Sequence, residues 1–182
     1  MISTRMLVAV GLPLGLLTVP LIAMQFTDEV VWTATDFVVA GGLLLSTGLV
    51  YERLTRSAPT IYYQIACALA LLTALLLVWV SLAVGIIGNE GHPANWMFAG
   101  VLVLAVVGSL LARLKARAMA RALYATALLQ FVAALLIVGG WVLGISGFGL
   151  TPLLVCGMFL VMWLGSAALF GLSDRMKPEP RI

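Results

Sequence analysis

The chain has very little charge. Lysine and arginine number 10 and aspartate and glutamate number 7, so charged residues make up 9% of the sequence, against about 25% in soluble globular proteins. Hydrophobic residues account for 63%, and the mean hydropathy is +1.17. Because 182 residues with so few charges could not cover a water-soluble surface, a soluble enzyme is excluded. A pI near 9.2 does not by itself indicate nucleic acid, and no nucleic-acid partner is expected.

Histidine and cysteine are equally scarce. His92 is the only histidine, and Cys67 and Cys156 are the only cysteines. One imidazole and two thiols cannot form a zinc, haem or iron–sulfur ligand set in one protomer, so no metal and no cofactor are expected. The two cysteines fall near opposite ends of their predicted helices, which is too far apart for a disulfide. With no nucleophile set, phosphate loop or paired membrane carboxylates, catalysis is not expected.

Long apolar runs fill the chain instead. A membrane-spanning helix needs about 20 mostly apolar residues to cross about 30 Å of hydrocarbon. Six windows meet this condition, and the connections between them are short, so sequential helices should be antiparallel neighbours. The sequence therefore predicts an all-α, polytopic membrane helix bundle that forms a single integral membrane domain over residues 1–182. The predicted spans are 6–24, 31–51, 63–87, 95–114, 122–143 and 153–172.

The basic residues predict the orientation of these spans. All ten fall on one side of the predicted membrane, in the N-terminal segment, the second and fourth connections, and the C-terminal segment. Ten bases less Glu52, Asp174 and Glu179 leave +7 on that side, whereas the other side carries four acidic residues. Because basic residues concentrate in cytoplasmic loops, both termini are predicted to be cytoplasmic. Arg5 and the apolar run after it also fit a signal peptide, but Pro13, Pro20 and the lack of a convincing cleavage site favour a span.

An internal repeat is also predicted. A shift of 59 residues aligns the third helix with the fifth, with ten identities over positions 65–93 that include Gly85/Gly144, Gly88/Gly147 and Pro93/Pro152. This predicts three tandem helical hairpins. Helices two, four and six are rich in glycine, serine and alanine, which favours their placement inside the bundle, with the Leu-rich helices three and five facing lipid.

Two polar groups mark a candidate site on the predicted outer face. Asn89, Glu90, His92 and Asn95 lie within one short loop, where Glu90 and His92 could share a proton or contribute to a cation site. The alternative is structural, since Asn95 is well placed to cap the fourth helix. Asp36 is an acid inside an apolar run, which favours a functional role. Its alternative is a capping box with Thr33.

Polar residues inside the spans are the second set of candidates. Gln130 falls near the middle of the fifth span, and Gln64 and Thr73 lie in the third. A polar group at such a depth needs a partner, either across a helix contact or in a water-lined path.

A basic segment between the fourth and fifth spans is the third candidate. Arg113, Arg117 and Arg121 follow at intervals of four, with Lys115 among them. Such a stripe is able to bind anionic lipid headgroups at the cytoplasmic interface, although charge that only sets the topology explains it as well.

Three stretches carry a resemblance to known proteins. They are Trp32–Ala40, Gly88–Gly100 and the basic run Ala112–Leu123. With them, most of the chain resembles a group of small, uncharacterised bacterial inner-membrane proteins. The resemblance implies a multi-pass protein of the bacterial inner membrane and brings no activity with it.

Two functions remain as hypotheses, together with a minor third. The first is a facilitative channel or carrier for a small solute, entered between helices two, four and six. The second is a non-catalytic structural or accessory subunit, in a homo-oligomer or with a membrane-protein partner, or a lipid-interacting protein. The third is ion sensing at the outer face through Asp36, Glu90 and His92.

Overall fold

The chain is helical throughout the part that the structure describes. The computed structural model describes the backbone of residues 4–176 and the side chains from residue 10 onward. The candidate charges Arg5, Lys177, Glu179 and Arg181 lie outside the described side chains. Within the described range there are no strands, and the helices are α1 (Thr4–Ala23), α2 (Ala34–Thr55), α3 (Ile61–Ala83), a 3-10 turn (Pro93–Asn95), α4 (Trp96–Leu111), α5 (Ala116–Val142) and α6 (Leu150–Arg175).

Five of these helices are long and apolar enough to cross a membrane. They are α2, α3, α4 with its preceding 3-10 turn, α5 and α6, and they indicate a membrane-spanning helical bundle. The described apolar part of α1, Val10–Ala23, is shorter than such a span. A backbone in hydrocarbon must satisfy its own hydrogen bonds, which is why apolar runs of this length fold as helices.

The chain divides into two compact units. The first ends at Ser57 and contains α1 and α2. Its two helices pack against each other where α2 has small residues: Ala40 and Gly41 are buried, and Leu17 Cδ1 lies only 3.3 Å from the position that a Cβ of residue 41 would occupy. The helix contact therefore depends on small side chains, as in other bundles in lipid.

The second unit begins at Ala58 and contains α3 to α6. In it α6 packs against both α3 and α5, and α5 packs against both α4 and α6. The core between them contains large aromatic side chains of α6, with Phe159, Trp163 and Phe170 almost completely buried. One face of α6 therefore lies in the core through its aromatic side chains, while Leu154 and Val161 on another face are exposed.

The placement of the other helices corrects the sequence prediction. Among the five candidate spans, α5 has the largest share of buried residues, although it was predicted to face lipid, and α4 has a much smaller share, although it was predicted to be interior. Ala120, Ala127, Ala133 and Ala134 lie on the buried face of α5, and their small side chains allow close helix packing within a sequence that is otherwise Leu-rich.

Two ends of the four-helix unit can be distinguished. At one, here called the turn end, the Tyr63 hydroxyl donates to the Leu114 carbonyl at 3.0 Å, and the hydroxyls of Thr60 and Ser173 are 2.7 Å apart. At the other, here called the loop end, the α3–α4 and α5–α6 loops touch. A Cβ added at Gly147 would lie 3.1 Å from the backbone of Gly88.

Both loops at the loop end begin with a left-handed glycine. Gly85 has φ +76° and Gly144 has φ +70°, just beyond the ends of α3 and α5. Glycine adopts this conformation without the penalty of a Cβ, which is why it ends helices so often. The 59-residue shift of the predicted repeat aligns these two glycines with each other; the repeat itself remains a prediction.

Candidate functional site

Asp36 forms a capping box at the start of α2. The backbone N–H of Thr33 donates to Asp36 Oδ2 at 2.7 Å, the Thr33 hydroxyl donates to the same oxygen at 2.8 Å, and the Asp36 N–H donates to Thr33 Oγ1 at 3.3 Å. This is the reciprocal arrangement predicted as the alternative for these two residues. Asp36 is exposed, and it lies in the first unit, whereas Glu90 and His92 lie in the second.

Asn95 organises the α3–α4 loop. Its Oδ1 accepts from the backbone N–H groups of Ile86 at 3.2 Å and Ile87 at 2.9 Å, and its Nδ2 donates to the carbonyls of Ile87 at 3.1 Å and Asn89 at 2.7 Å. The prediction that this side chain caps α4 was wrong, because it makes no hydrogen bond to the helix N–H groups. The buried amide instead satisfies four backbone groups of a loop that has no helix or sheet to satisfy them.

His92 serves the same loop. Its Nδ1 accepts from the Ala94 N–H at 3.3 Å at the start of the 3-10 turn, and its ring meets Phe148 of the α5–α6 loop edge to face, with the ring centroids 5.8 Å apart. Asn89 and Glu90 are exposed, and no hydrogen bond joins Glu90 to His92 among the described contacts. Within the described residues there is also no group of three or more His, Cys, Asp or Glu side chains that could hold a metal ion. Asn95 thus holds the α3–α4 loop together, and His92 connects it to the α5–α6 loop.

Gln130 lies completely buried in the contact between α5 and α6. Its Nε2 donates to Cys156 Sγ at 3.0 Å and lies 3.4 Å from the Cys156 carbonyl oxygen, while Oε1 is buried without a partner. The Cys156 thiol in turn points at the Gln130 carbonyl, with Sγ and the oxygen 3.6 Å apart. The polar candidate of the fifth span therefore meets a side chain of the next helix.

Several other buried hydroxyls bind backbone carbonyls, whereas Ser81 Oγ and Trp163 Nε1 are buried without a hydrogen-bond partner among the described residues. Thr73 donates to Leu69 at 2.6 Å and Thr126 to Ala122 at 3.0 Å, each within its own helix, whereas Ser166 of α6 donates across to Ala66 of α3 at 2.8 Å. Gln64, the other candidate in the third span, is only half-buried near the turn end. The structure does not bring Gln64, Thr73 and Gln130 into one hydrogen-bonded group.

Three of these polar contacts were missed by the sequence analysis. Thr126 follows no motif, Ser166 was counted only as a small residue, and Cys156 was considered only for a metal site and a disulfide. Thr126 bonds to a residue one turn away in its own helix, whereas Ser166 and Cys156 bond to residues of other helices. Only the first kind has a local signal, a threonine four residues after a potential acceptor in a helix.

The four basic candidates lie at the turn end and are exposed. Arg117 and Arg121 share one face of α5, but Arg113 lies before the helix in the α4–α5 turn, which corrects the predicted continuous stripe. Helix α5 begins at Ala116, six residues before the predicted span, because Ala116, Met119 and Ala120 are buried and extend the apolar face beneath the arginines.

Comparison with known proteins finds no relative for this chain: no family model, no curated protein and no solved structure matches it.

Proposed function

We propose that the protein is a non-catalytic structural or accessory subunit of a membrane assembly. The observation that carries this proposal is the way in which the interior polar groups are used. Gln130 and Ser166 bond across helix contacts, and Thr73 and Thr126 bond within their own helices. Polar side chains that are hydrogen-bonded to the protein itself stabilise the helix contacts and do not form a series of binding groups for a transported solute.

The exposed surface of the helices supports the same proposal. Its large side chains within the spans are apolar, including Val103 and Val106 of α4 and Leu154 and Val161 of α6. In a membrane such faces contact lipid tails or the helices of another protein. We place this subunit in a bacterial inner membrane, as the resemblance implies. The distribution of basic residues predicts that both termini are cytoplasmic. Alkaline phosphatase fusions at each connection test that orientation.

The decisive experiment is extraction of the full chain from its membrane in a lipid-retaining polymer, followed by mass determination of the intact particle. The expected result is a particle of fixed stoichiometry, either with further copies of this chain or with another membrane protein. A chain that remains a monomer over a hundredfold range of concentration, with no stoichiometric companion, would overturn the proposal.

A facilitative channel or carrier is the second candidate, and one observation favours it. Gln130 Oε1 is a buried acceptor without a partner, and such an atom can accept from a water or a hydroxylated solute. Swelling of proteoliposomes in water and in small polyols tests this, with Gln130→Leu as the variant. Flux through the wild-type protein that the variant loses would replace the accessory proposal with the channel.

A further inference from the structure

Helix α5 presents two different faces. One face packs in the core, with Met119, Leu123 and Ile137 almost completely buried. The opposite face is exposed and forms a single stripe at helical spacing, here called the α5 stripe. The α5 stripe consists of Arg117, Arg121, Tyr124, Leu128, Phe131 and Leu135.

The chemistry of the α5 stripe changes along its length in a fixed order. Two guanidinium groups come first, a phenol follows, and the last three side chains are apolar, with Leu128 64% exposed and Leu135 54% exposed. From Tyr124 to Leu135 the helix rises about 16 Å, which is the hydrocarbon thickness of one leaflet when the full core is about 30 Å. The stripe therefore matches one phospholipid in order and in length: an anionic headgroup, an interface and an acyl chain.

Within the described part of this unit, the basic residues at the turn end outnumber the one acidic residue there, Asp174. Arg113 and Lys115 lie in the turn directly before α5 and are exposed like the two arginines of the stripe. No acidic residue occurs between Glu90 and Asp174 in the sequence, and in the described range no carboxylate forms a salt bridge with any of the four. Four unpaired cations in a low-dielectric interface attract an anion strongly.

The start of α5 adds to this charge. Lys115 is the residue before the helix, and no side chain caps the helix N–H groups there. The N-terminal end of a helix carries a partial positive charge, so basic residues there raise the potential where acidic residues usually lower it. The turn is held in place by the Tyr63 hydroxyl, which donates to the Leu114 carbonyl, so the cations extend from a fixed backbone.

We propose that the α4–α5 turn and the α5 stripe form a binding site for an anionic phospholipid. Its phosphate lies among Arg113, Lys115, Arg117 and Arg121, and one acyl chain lies along Leu128, Phe131 and Leu135. The site does not depend on the proposed accessory function, since a channel would carry the same surface.

The test measures lipid retention by the intact chain. Wild-type protein in phosphatidylcholine nanodiscs receives a small fraction of spin-labelled phosphatidylglycerol or spin-labelled phosphatidylcholine, and the motionally restricted fraction of each is compared. Each Lys or Arg near an anionic surface contributes roughly a fivefold change in binding, so Arg117→Gln with Arg121→Gln should lower the relative association of phosphatidylglycerol about 25-fold. Arg117→Lys with Arg121→Lys keeps the charge and should retain most of it.

The matched control is Arg53→Gln with Arg56→Gln, which removes two other exposed bases. It should change the association less than twofold, and circular dichroism should show equal helix content in all variants. If the two glutamine variants lost phosphatidylglycerol association equally, general surface charge would explain the effect, and the proposal would be overturned. Equal retention of the two lipids by the wild type would overturn it as well. Displacement of the labelled phosphatidylglycerol by millimolar glycerol phosphate would indicate a free-phosphate site and would also overturn it.

Discussion

Asn95 and Gln130 carry the same primary amide, and both are buried, but the two regions around them use it in different ways. Asn95 lies at the loop end, where its oxygen accepts two hydrogen bonds and its nitrogen donates to two carbonyls. Gln130 lies within the α5–α6 contact, where its nitrogen meets one residue and its oxygen meets none.

The difference follows from what the surrounding backbone needs. Residues 84–92 belong to a loop, and their N–H and C=O groups have no repeating ladder to bond with, so a side chain must satisfy them. Around Gln130 the backbone N–H and C=O groups of both helices are already hydrogen-bonded within each helix, so few of them need the amide as a partner. The stabilisation that a buried amide provides depends on how many backbone N–H and C=O groups would be unpaired without it. The burial of the amide alone does not give that number.

The largest effect is expected for Asn95→Ala. The change leaves the N–H groups of Ile86 and Ile87 buried without acceptors, and each unpaired donor costs about 1–3 kcal/mol. The free energy of unfolding should fall by about 4 kcal/mol, and amide exchange at Ile86 and Ile87 should accelerate. The measurements are unfolding in mixed micelles and hydrogen exchange read by mass spectrometry.

Asn95→Asp is the companion variant, because it keeps an acceptor oxygen; its unfolding is measured at about pH 4, where a buried carboxyl is protonated and is not repelled by the carbonyls of Ile87 and Asn89. It should lose less than the alanine variant. Equal losses would show that the oxygen is not what holds the loop, and the contrast with Gln130 would then be incorrect.

A smaller effect is expected for Gly85→Ala, with Gly144→Ala as its control. Both glycines have positive φ, so both variants carry the penalty of about 1–2 kcal/mol for a left-handed residue with a Cβ. At residue 85 the new Cβ would also clash with the backbone carbonyl of Asn89, whereas at residue 144 it meets nothing within 4 Å. Thermal unfolding should therefore show a clearly larger loss for Gly85→Ala, and equal losses would mean that the Asn95 loop is not tighter than its counterpart.

Gln130→Leu should have little effect on stability. It removes one hydrogen bond to Cys156 and also an unpaired oxygen, and hydrogen bonds between helices in a membrane average about 0.6 kcal/mol. Unfolding measured beside Asn95→Ala should differ from the wild type by less than about 1 kcal/mol. A loss as large as that of Asn95→Ala would show that the two amides are equivalent.

The smallest effect is expected for Thr73→Val. This hydroxyl bonds only to the Leu69 carbonyl in its own helix, so the near-isosteric change leaves the helix contacts in place. The change in the unfolding free energy should stay below about 0.5 kcal/mol. This variant sets the baseline for the other three, and a larger loss would point to a contact of Thr73 that its hydrogen bond does not explain.

Some of these features could be predicted from the sequence because their causes are local. Apolar runs predicted the helices, and the capping box needed only Thr33 and Asp36, three residues apart. The role of Asn95 could not be predicted in the same way, since its acceptor function serves Ile86 and Ile87, which only the path of the loop brings close.

The interior of the bundle was harder to predict for a related reason. Small residues in helices two, four and six predicted that those helices are interior, whereas the buried alanines of α5 lie in a Leu-rich sequence that predicted lipid contact. Which face of a helix is buried depends on its neighbours, and in lipid both faces are apolar, so hydropathy does not separate them. The partner of Gln130, 26 residues further along the chain, likewise depends on how α5 and α6 pair.

The turn between α4 and α5 has a consequence for how the protein is made. Only residues 112–115 separate the helices, and Arg113 and Leu114 both hold the left-handed conformation there. Even fully extended, such a connection reaches about 18 Å, well short of about 30 Å of hydrocarbon, so two spanning helices joined by it must run antiparallel. Placing an arginine or lysine at the centre of the hydrocarbon costs about 2.5–3.5 kcal/mol each, so we expect the turn that bears Arg113 and Lys115 to stay on the side of the membrane where the chain is made.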